Sequence, residues 1–189
     1  IIRRSCSYVD ARLMNHGYRV AYIVSEMLKP YFHEDARKIR DVCFLALLHD
    51  IGAYKTDEIS KMLQFDTDDV LAHSVYGYLF IKYFSPLKKL SGAILLHHAT
   101  WQVLEHSEVF PEGIRLLAQV IHVADRIDVA MEVQHLTWEE TAVLLKKESG
   151  TKFSPFIADL ALACDFHTPF EGDTDAESLF FHLFSEISL

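Results

Sequence analysis

Apolar residues along the chain recur roughly every three to four positions, and the strict alternation of a half-buried strand is nearly absent. The spacing predicts a first helix from about Val9 to Leu28, stopped before Pro30. A second begins near Asp35 and carries Ile39, Val42, Cys43, Leu45, Ala46 and Leu47 up to His49. A shorter one covers Glu58 to Leu63. Asp66 or Thr67 then caps a helix through Tyr83, which Ser85-Pro86 ends. Leu87 to Ala99 reads as another apolar helix, Thr100 to Gly113 as a polar loop, and Ile114 to Met131 as a largely buried helix. Thr137-Trp138-Glu139-Glu140 has the form of a capping box and opens a helix to Lys147, terminated by Gly150. Phe156 to Cys164 gives the next, and a second box, Thr174 to Glu177, leads into LFFHLFSEI. The expected fold is all-α and a single domain over residues 1–189, with the chemistry between about 10 and 132 and further helices from 137 to 189.

Composition narrows this without redirecting it. Half of the 189 residues are apolar, enough for a sizeable core, and 7 glycines and 5 prolines are too few for a linker-rich chain. No apolar run reaches the length of about 18 residues that spans a bilayer, and no signal-peptide pattern opens the chain, so a cytoplasmic protein is expected. Cys6, Cys43 and Cys164 are odd in number and scattered, which argues against a zinc finger or disulfide framework and fits a reducing compartment. A net charge of −9 disfavours a long nucleic acid as partner but allows a small phosphate ligand beside a bound metal. The start at Ile1 leaves room for an attached sensory or receiver domain, and the closing apolar stripe from Leu179 to Ile187, read first as core, for a homodimer contact.

The stretch LALLHDIGAY, residues 45–54, poses the chemical question, because an apolar run ends in His49-Asp50 and then Gly52. A lone histidine on such a helix is more often a satisfied core or surface residue than a ligand. Seven polar groups of this kind, His16, His49, Asp50, His73, His97, His98 and Asp125, alter that weighing. Buried without partners, each would cost about 1–3 kcal/mol, and a cluster around metal ions removes the problem. Neighbours on a helix point about 100° apart, so His49 and Asp50 cannot serve one narrow face, yet both can reach a pair of metals beside the helix end. An imidazole-rich set with carboxylates suits Fe, Mn, Zn or Ni better than Ca or Mg. Two such ions commonly activate a bridging hydroxide and brace a phosphoryl group for in-line displacement.

In this order, and in the stretches NHGYRVA, LLHDIG, AHSVYGYLFI, ILLHHATW and IRLLAQVIHVADRIDVAM, the chain resembles the HD phosphohydrolase superfamily. With SGTKFSPFIADLAL added, it is similar to the HD-GYP branch. The resemblance implies a helical bundle around a binuclear metal centre with Fe or Mn favoured. It also implies phosphodiester hydrolysis, with cyclic di-GMP as the typical substrate. By position, His16, His49 and Asp125 would hold one metal, His73, His97 and His98 the other, and Asp50 would bridge them.

The chain departs from that pattern in places. Ala53 stands where the family usually has Lys, Ala99 and Gln102 replace acidic residues, and the Gly-Tyr-Pro signature is reduced to Val109-Phe110-Pro111. Arg12 stands where trinuclear members carry Glu, so a third metal is not expected. Arg19 and Lys55 are the remaining phosphate-binding candidates, with a solvated surface cation as the equal alternative for each. His122 is read as a partner of the ligands or an incidental neighbour, and His106 as a loop residue nothing ties to the site. Three readings follow: a cyclic-dinucleotide phosphodiesterase, an HD hydrolase of another nucleotide or phosphoester, and a degenerate domain that binds a ligand or protein without turnover.

Overall fold

The computed structural model describes residues 11–30, 36–53 and 70–166. Among them eight α-helices form and no strand does, apart from one isolated bridge between Ser149 and Phe153. The all-α expectation is therefore met. The expected helix over 58–63, the final capping box and the stripe beyond it lie outside the described residues, as do Cys6 and Lys55.

Helix α1 (Ala11–Leu28) stops two residues before Pro30, whose ring disfavours helical backbone at the preceding residue. It packs Val20, Ile23, Val24 and Met27 into the core against α2 (Ala36–Leu47), which contributes Ile39, Cys43 and Ala46. Helix α3 (Val70–Phe84) ends where the Ser85 hydroxyl accepts from the backbone N–H of Leu87. The expected helix over 87–99 is broken in two. A 3₁₀ turn at Lys88–Leu90 comes first, with the Ser91 hydroxyl donating to the Lys88 carbonyl, and α4 (Ser91–Leu96) follows. The region read as a loop contains a short helix, α5 (Trp101–Leu104).

Helix α6 (Glu112–Asp128) is the central strut, packed on α1, α4 and α8 and buried from Ala118 to Asp125. It passes into a π-helical turn, Val129–Val133, two residues beyond the expected end. The Thr137 capping box forms as expected: its hydroxyl accepts from the Glu140 N–H at 3.2 Å, and the Glu140 carboxylate from the Thr137 N–H at 2.9 Å. Helix α7 (Trp138–Glu148) follows, and Gly150 leaves it with φ +80°. Helix α8 (Pro155–Leu162) begins with proline at its first turn, where the missing N–H costs nothing. One hydrophobic cluster takes residues from α1 through α8. No described helix is long and apolar enough to cross a membrane.

Candidate metal centre

Two close approaches of backbone bring the polar residues together. A Cβ on Gly17 would sit 2.5 Å from the Leu47 carbonyl oxygen, so α1 passes hard against the end of α2 and sets His16 beside His49. Helix α2 ends at Leu47, two residues earlier than its apolar pattern suggests. Bonds from Ile51 N–H to Leu48 O (3.0 Å) and from Ala53 N–H to Asp50 O (2.9 Å) then wind consecutive tight turns. Leaving the α-helix here is what lets the neighbours His49 and Asp50 face one centre. A Cβ on Gly52 would lie 2.0 Å from the His73 carbonyl oxygen, so this turn rests directly on the backbone of α3.

All seven candidate side chains converge, and six of them are buried, His98 being half-buried. Asp50 is at the middle. Its Oδ2 lies 3.1 Å from His49 Nε2 and 3.7 Å from His16 Nε2. Its Oδ1 lies 3.4 Å from both His73 Nε2 and His97 Nε2. Asp125 Oδ1 approaches His16 Nε2 at 3.3 Å, and His98 Nε2 is 2.9 Å from His73 Nε2. The donors thus form two groups able to hold an ion each, one with His16 and His49, the other with His73, His97 and His98, and Asp50 belongs to both.

The outer ring nitrogens fix which atoms point inward. His49 Nδ1 donates to the Ala46 carbonyl at 2.7 Å, and His97 Nδ1 to the Ile94 carbonyl at 2.5 Å. A carbonyl can only accept, so the proton sits on Nδ1 and each Nε2 turns a lone pair into the cluster. His16 Nδ1 donates to Asp128 Oδ2 at 2.7 Å, leaving its Nε2 3.3 Å from that of His49. Buried Asp50 Oδ1 and His97 Nε2 have no hydrogen-bond partner among the described residues. Acceptors gathered in this way, at about 1–3 kcal/mol for each one left unsatisfied, are what a divalent cation resolves. The residues fit a metal.

Electrostatics agree. Burial pushes the Asp50 carboxyl up, but His49 and its other imidazole neighbours hold it well below the usual carboxylate range. Asp125 is likewise depressed against burial, chiefly by Arg126, whose Nε and Nη2 reach its Oδ2 at 2.9 and 2.6 Å. Burial drives His73 down to about 4, and lowers His98 with help from His97. His16 alone rises, to about 10: burial opposes it, and Asp125 and Asp128 outweigh burial. Asp50 and Asp125 are thus held in the ionised form that a metal ligand requires, while His16 must give up its proton to serve as one.

Asp128 escaped the sequence reading. It accepts from His16 and from Arg19, whose Nε reaches Oδ1 at 2.5 Å and whose Nη2 reaches Oδ2 at 3.0 Å. The signal was its register, one turn after Asp125, as Arg19 is one turn after His16. Arg19, read as either a phosphate-binding group or a solvated surface cation, is instead turned toward the carboxylate behind His16. His106 is exposed, its ring 3.6 Å from Glu105, and takes no part in the cluster. His122 is buried against Phe153 and its ring lies 6.3 Å from that of His98. An apolar hollow of about 300 Å³ between α1, α2, α6 and α8 contains none of the cluster residues.

This set of donors on such a bundle defines a metal-binding hydrolase site. The HD domain model matches residues 13–130, more than half of the chain, and the protein belongs to the HD family of metal-dependent phosphohydrolases. No curated protein is similar enough to count as a relative.

Proposed function

We propose that the chain is a phosphodiesterase that hydrolyses cyclic di-GMP or a related cyclic dinucleotide with two divalent transition-metal ions. The observation that carries it is the division of Asp50, one oxygen toward His16 and His49 and the other toward His73 and His97. His16, His49 and Asp125 would hold one ion, His73, His97 and His98 the other, and Asp50 both. Fe or Mn suits this set best, with Zn or Ni as alternatives. Bound there, the ions supply Lewis acidity toward phosphoryl oxygens and a water of lowered pKa. The protein's part is orientation: Ala46 O, Ile94 O and Asp128 fix three imidazoles, and no separate general base is required.

The cyclic-dinucleotide assignment draws support from the SGTKFSP stretch. Its Thr151 and Lys152 carbonyls accept from the Gln102 and Trp101 N–H groups, directly after the paired histidines. Gln119 adds a second tie, donating to the Ala99 carbonyl and accepting from the Ser154 N–H. A second reading, hydrolysis of another phosphoester, is favoured by the phosphate-binding side chains: Ala53 is buried where Lys is usual, and Arg19 is occupied by Asp128.

The test is metal content per chain on protein purified without chelator, followed by turnover on cyclic di-GMP, other cyclic dinucleotides and a generic phosphodiester. About two ions per chain and cleavage of a cyclic dinucleotide are expected, both lost in Asp50→Ala. An active Asp50→Ala protein would sink the two-ion mechanism. Cleavage of the generic ester alone would move the substrate elsewhere. Metal with ligand binding but no turnover would make the domain a signalling module.

A further inference from the structure

Helix α3 has two faces of different use. His73, Ser74, Gly77 and Ile81 point inward and are buried. On the outward side, where an ordinary surface helix is polar, stand Val75, Tyr76, Leu79, Phe80, Tyr83 and Phe84. They are exposed by 42%, 49%, 39%, 43%, 67% and 79%. The positions form two adjacent ridges at i, i+4 and i+8, with the Phe80 and Phe84 ring centroids 6.0 Å apart. Lys82 is the one charged residue in α3. It is folded back, its ammonium donating to the Tyr78 hydroxyl at 2.6 Å and lying 4.9 Å from that ring's centroid.

A contiguous apolar stripe of this extent marks an interaction surface. From this geometry we infer that α3 is the contact by which two copies of the chain pair about a two-fold axis. At their exposures the six side chains leave roughly 600 Å² in water, taking about 200 Å² for a fully exposed aromatic. A stable interface takes about 800 Å² from each copy, and the stripe supplies most of that. Paired ridges are what another copy of the same helix interdigitates with, and a two-fold axis uses one patch twice. Charge selects the partner as well. The chain carries −9 overall, yet the stripe holds no carboxylate, so two copies meet there without opposing anions. The same net charge works against an anionic membrane surface.

The axis falls near the middle of the stripe, between Leu79 and Phe80. Pairing would brace from outside the helix that carries His73, but the inference stands apart from the reaction assigned above. Its test reads mass, not activity. Sedimentation equilibrium of the full chain should give a dimer of the 21.7 kDa protomer at micromolar concentration. In Tyr83→Glu/Phe84→Glu the dissociation constant should rise by more than about 100-fold, with the far-UV circular dichroism of the wild type retained. Leu79→Cys should form an intermolecular disulfide under mild oxidation, and the wild type should not. A wild type that stays monomeric at 100-fold higher concentration overturns the inference. So does a dimer that survives the double substitution, which would place the contact elsewhere, or a monomer that binds anionic vesicles through these residues.

Discussion

Asp128 touches no atom assigned to the metals, yet the geometry gives it a measurable role. It holds the Nδ1 side of His16 at 2.7 Å and is itself gripped by the Arg19 fork. Removing such an outer partner typically costs about 10–100-fold in metal affinity, because the ring is no longer aimed and its inward nitrogen loses basicity. Asp128→Ala should therefore weaken the position formed by His16, His49 and Asp125 by that factor and leave the His73, His97 and His98 position near its wild-type affinity. Competition with a graded series of chelators resolves the two. Equal loss at both positions would mean that Asp128 supports the fold and not one ligand. All seven cluster residues were legible in the sequence, since isolated polar groups ending apolar helical runs stand out in a linear pattern. Asp128 did not stand out. Its carboxylate looks like any helix-end acid until tertiary contact places it 2.7 Å from a histidine 112 positions away.

At the scale of the elements, the order of α1 to α4 and of α6 to α8 followed from apolar periodicity, and the capping box at Thr137 from its four residues, while α5 formed in a stretch whose polar pattern reads as a loop. Where a helix ends is decided by contacts the local pattern does not contain. The apolar run up to Leu48 continues α2 on paper, while the approach of the following turn to α3 ends it at Leu47. Glycines report such approaches, and they predict a graded series. In Gly52→Ala the new Cβ meets backbone, the His73 carbonyl at 2.0 Å, so the turn or α3 must move. In Gly77→Ala the nearest atom is the end of a side chain, Ile94 Cγ2 at 3.0 Å, which can give way. In Gly113→Ala nothing lies within 4 Å, and the residue is in the first turn of α6. Overpacking of the first kind costs about 1–3 kcal/mol, and alanine in an open helical position contributes up to about 1 kcal/mol. Thermal midpoints should fall in Gly52→Ala, by about 2–4 °C per kcal/mol for a chain of this size, fall less in Gly77→Ala, and hold or rise in Gly113→Ala. Equal midpoints for the first and third variants would remove the close approach as the reason α2 ends where it does.

Across the whole molecule, the cluster joins three helices, α1, α3 and α6, and the turns that follow α2 and α4, with residues that run from His16 to Asp125, so it is a tertiary clasp as well as a reaction site. Its cost without a cation is visible in the unpartnered, buried Asp50 Oδ1 and His97 Nε2. The unfolded chain cannot present this constellation. Metal binding must therefore favour the folded state, by about 2.7 kcal/mol at a free-ion concentration 100 times the dissociation constant. Chelator-treated protein given Mn or Fe should gain about 5–10 °C in its thermal midpoint, the conversion for 150–250 residues being 2–4 °C per kcal/mol. Asp50→Ala, lacking the group shared by both positions, should lose nearly all of that gain. In the absence of metal Asp50→Ala should also lower the midpoint, because the imidazoles that hold this carboxylate ionised lose their partner. A scan of both proteins with and without metal separates this loss from the loss of the metal-dependent gain. A wild type whose midpoint ignores Fe, Mn, Zn and Ni alike would show that these side chains are a buried polar network satisfied by other means. The assignment of metal ions to them would then fall with the reaction built upon it.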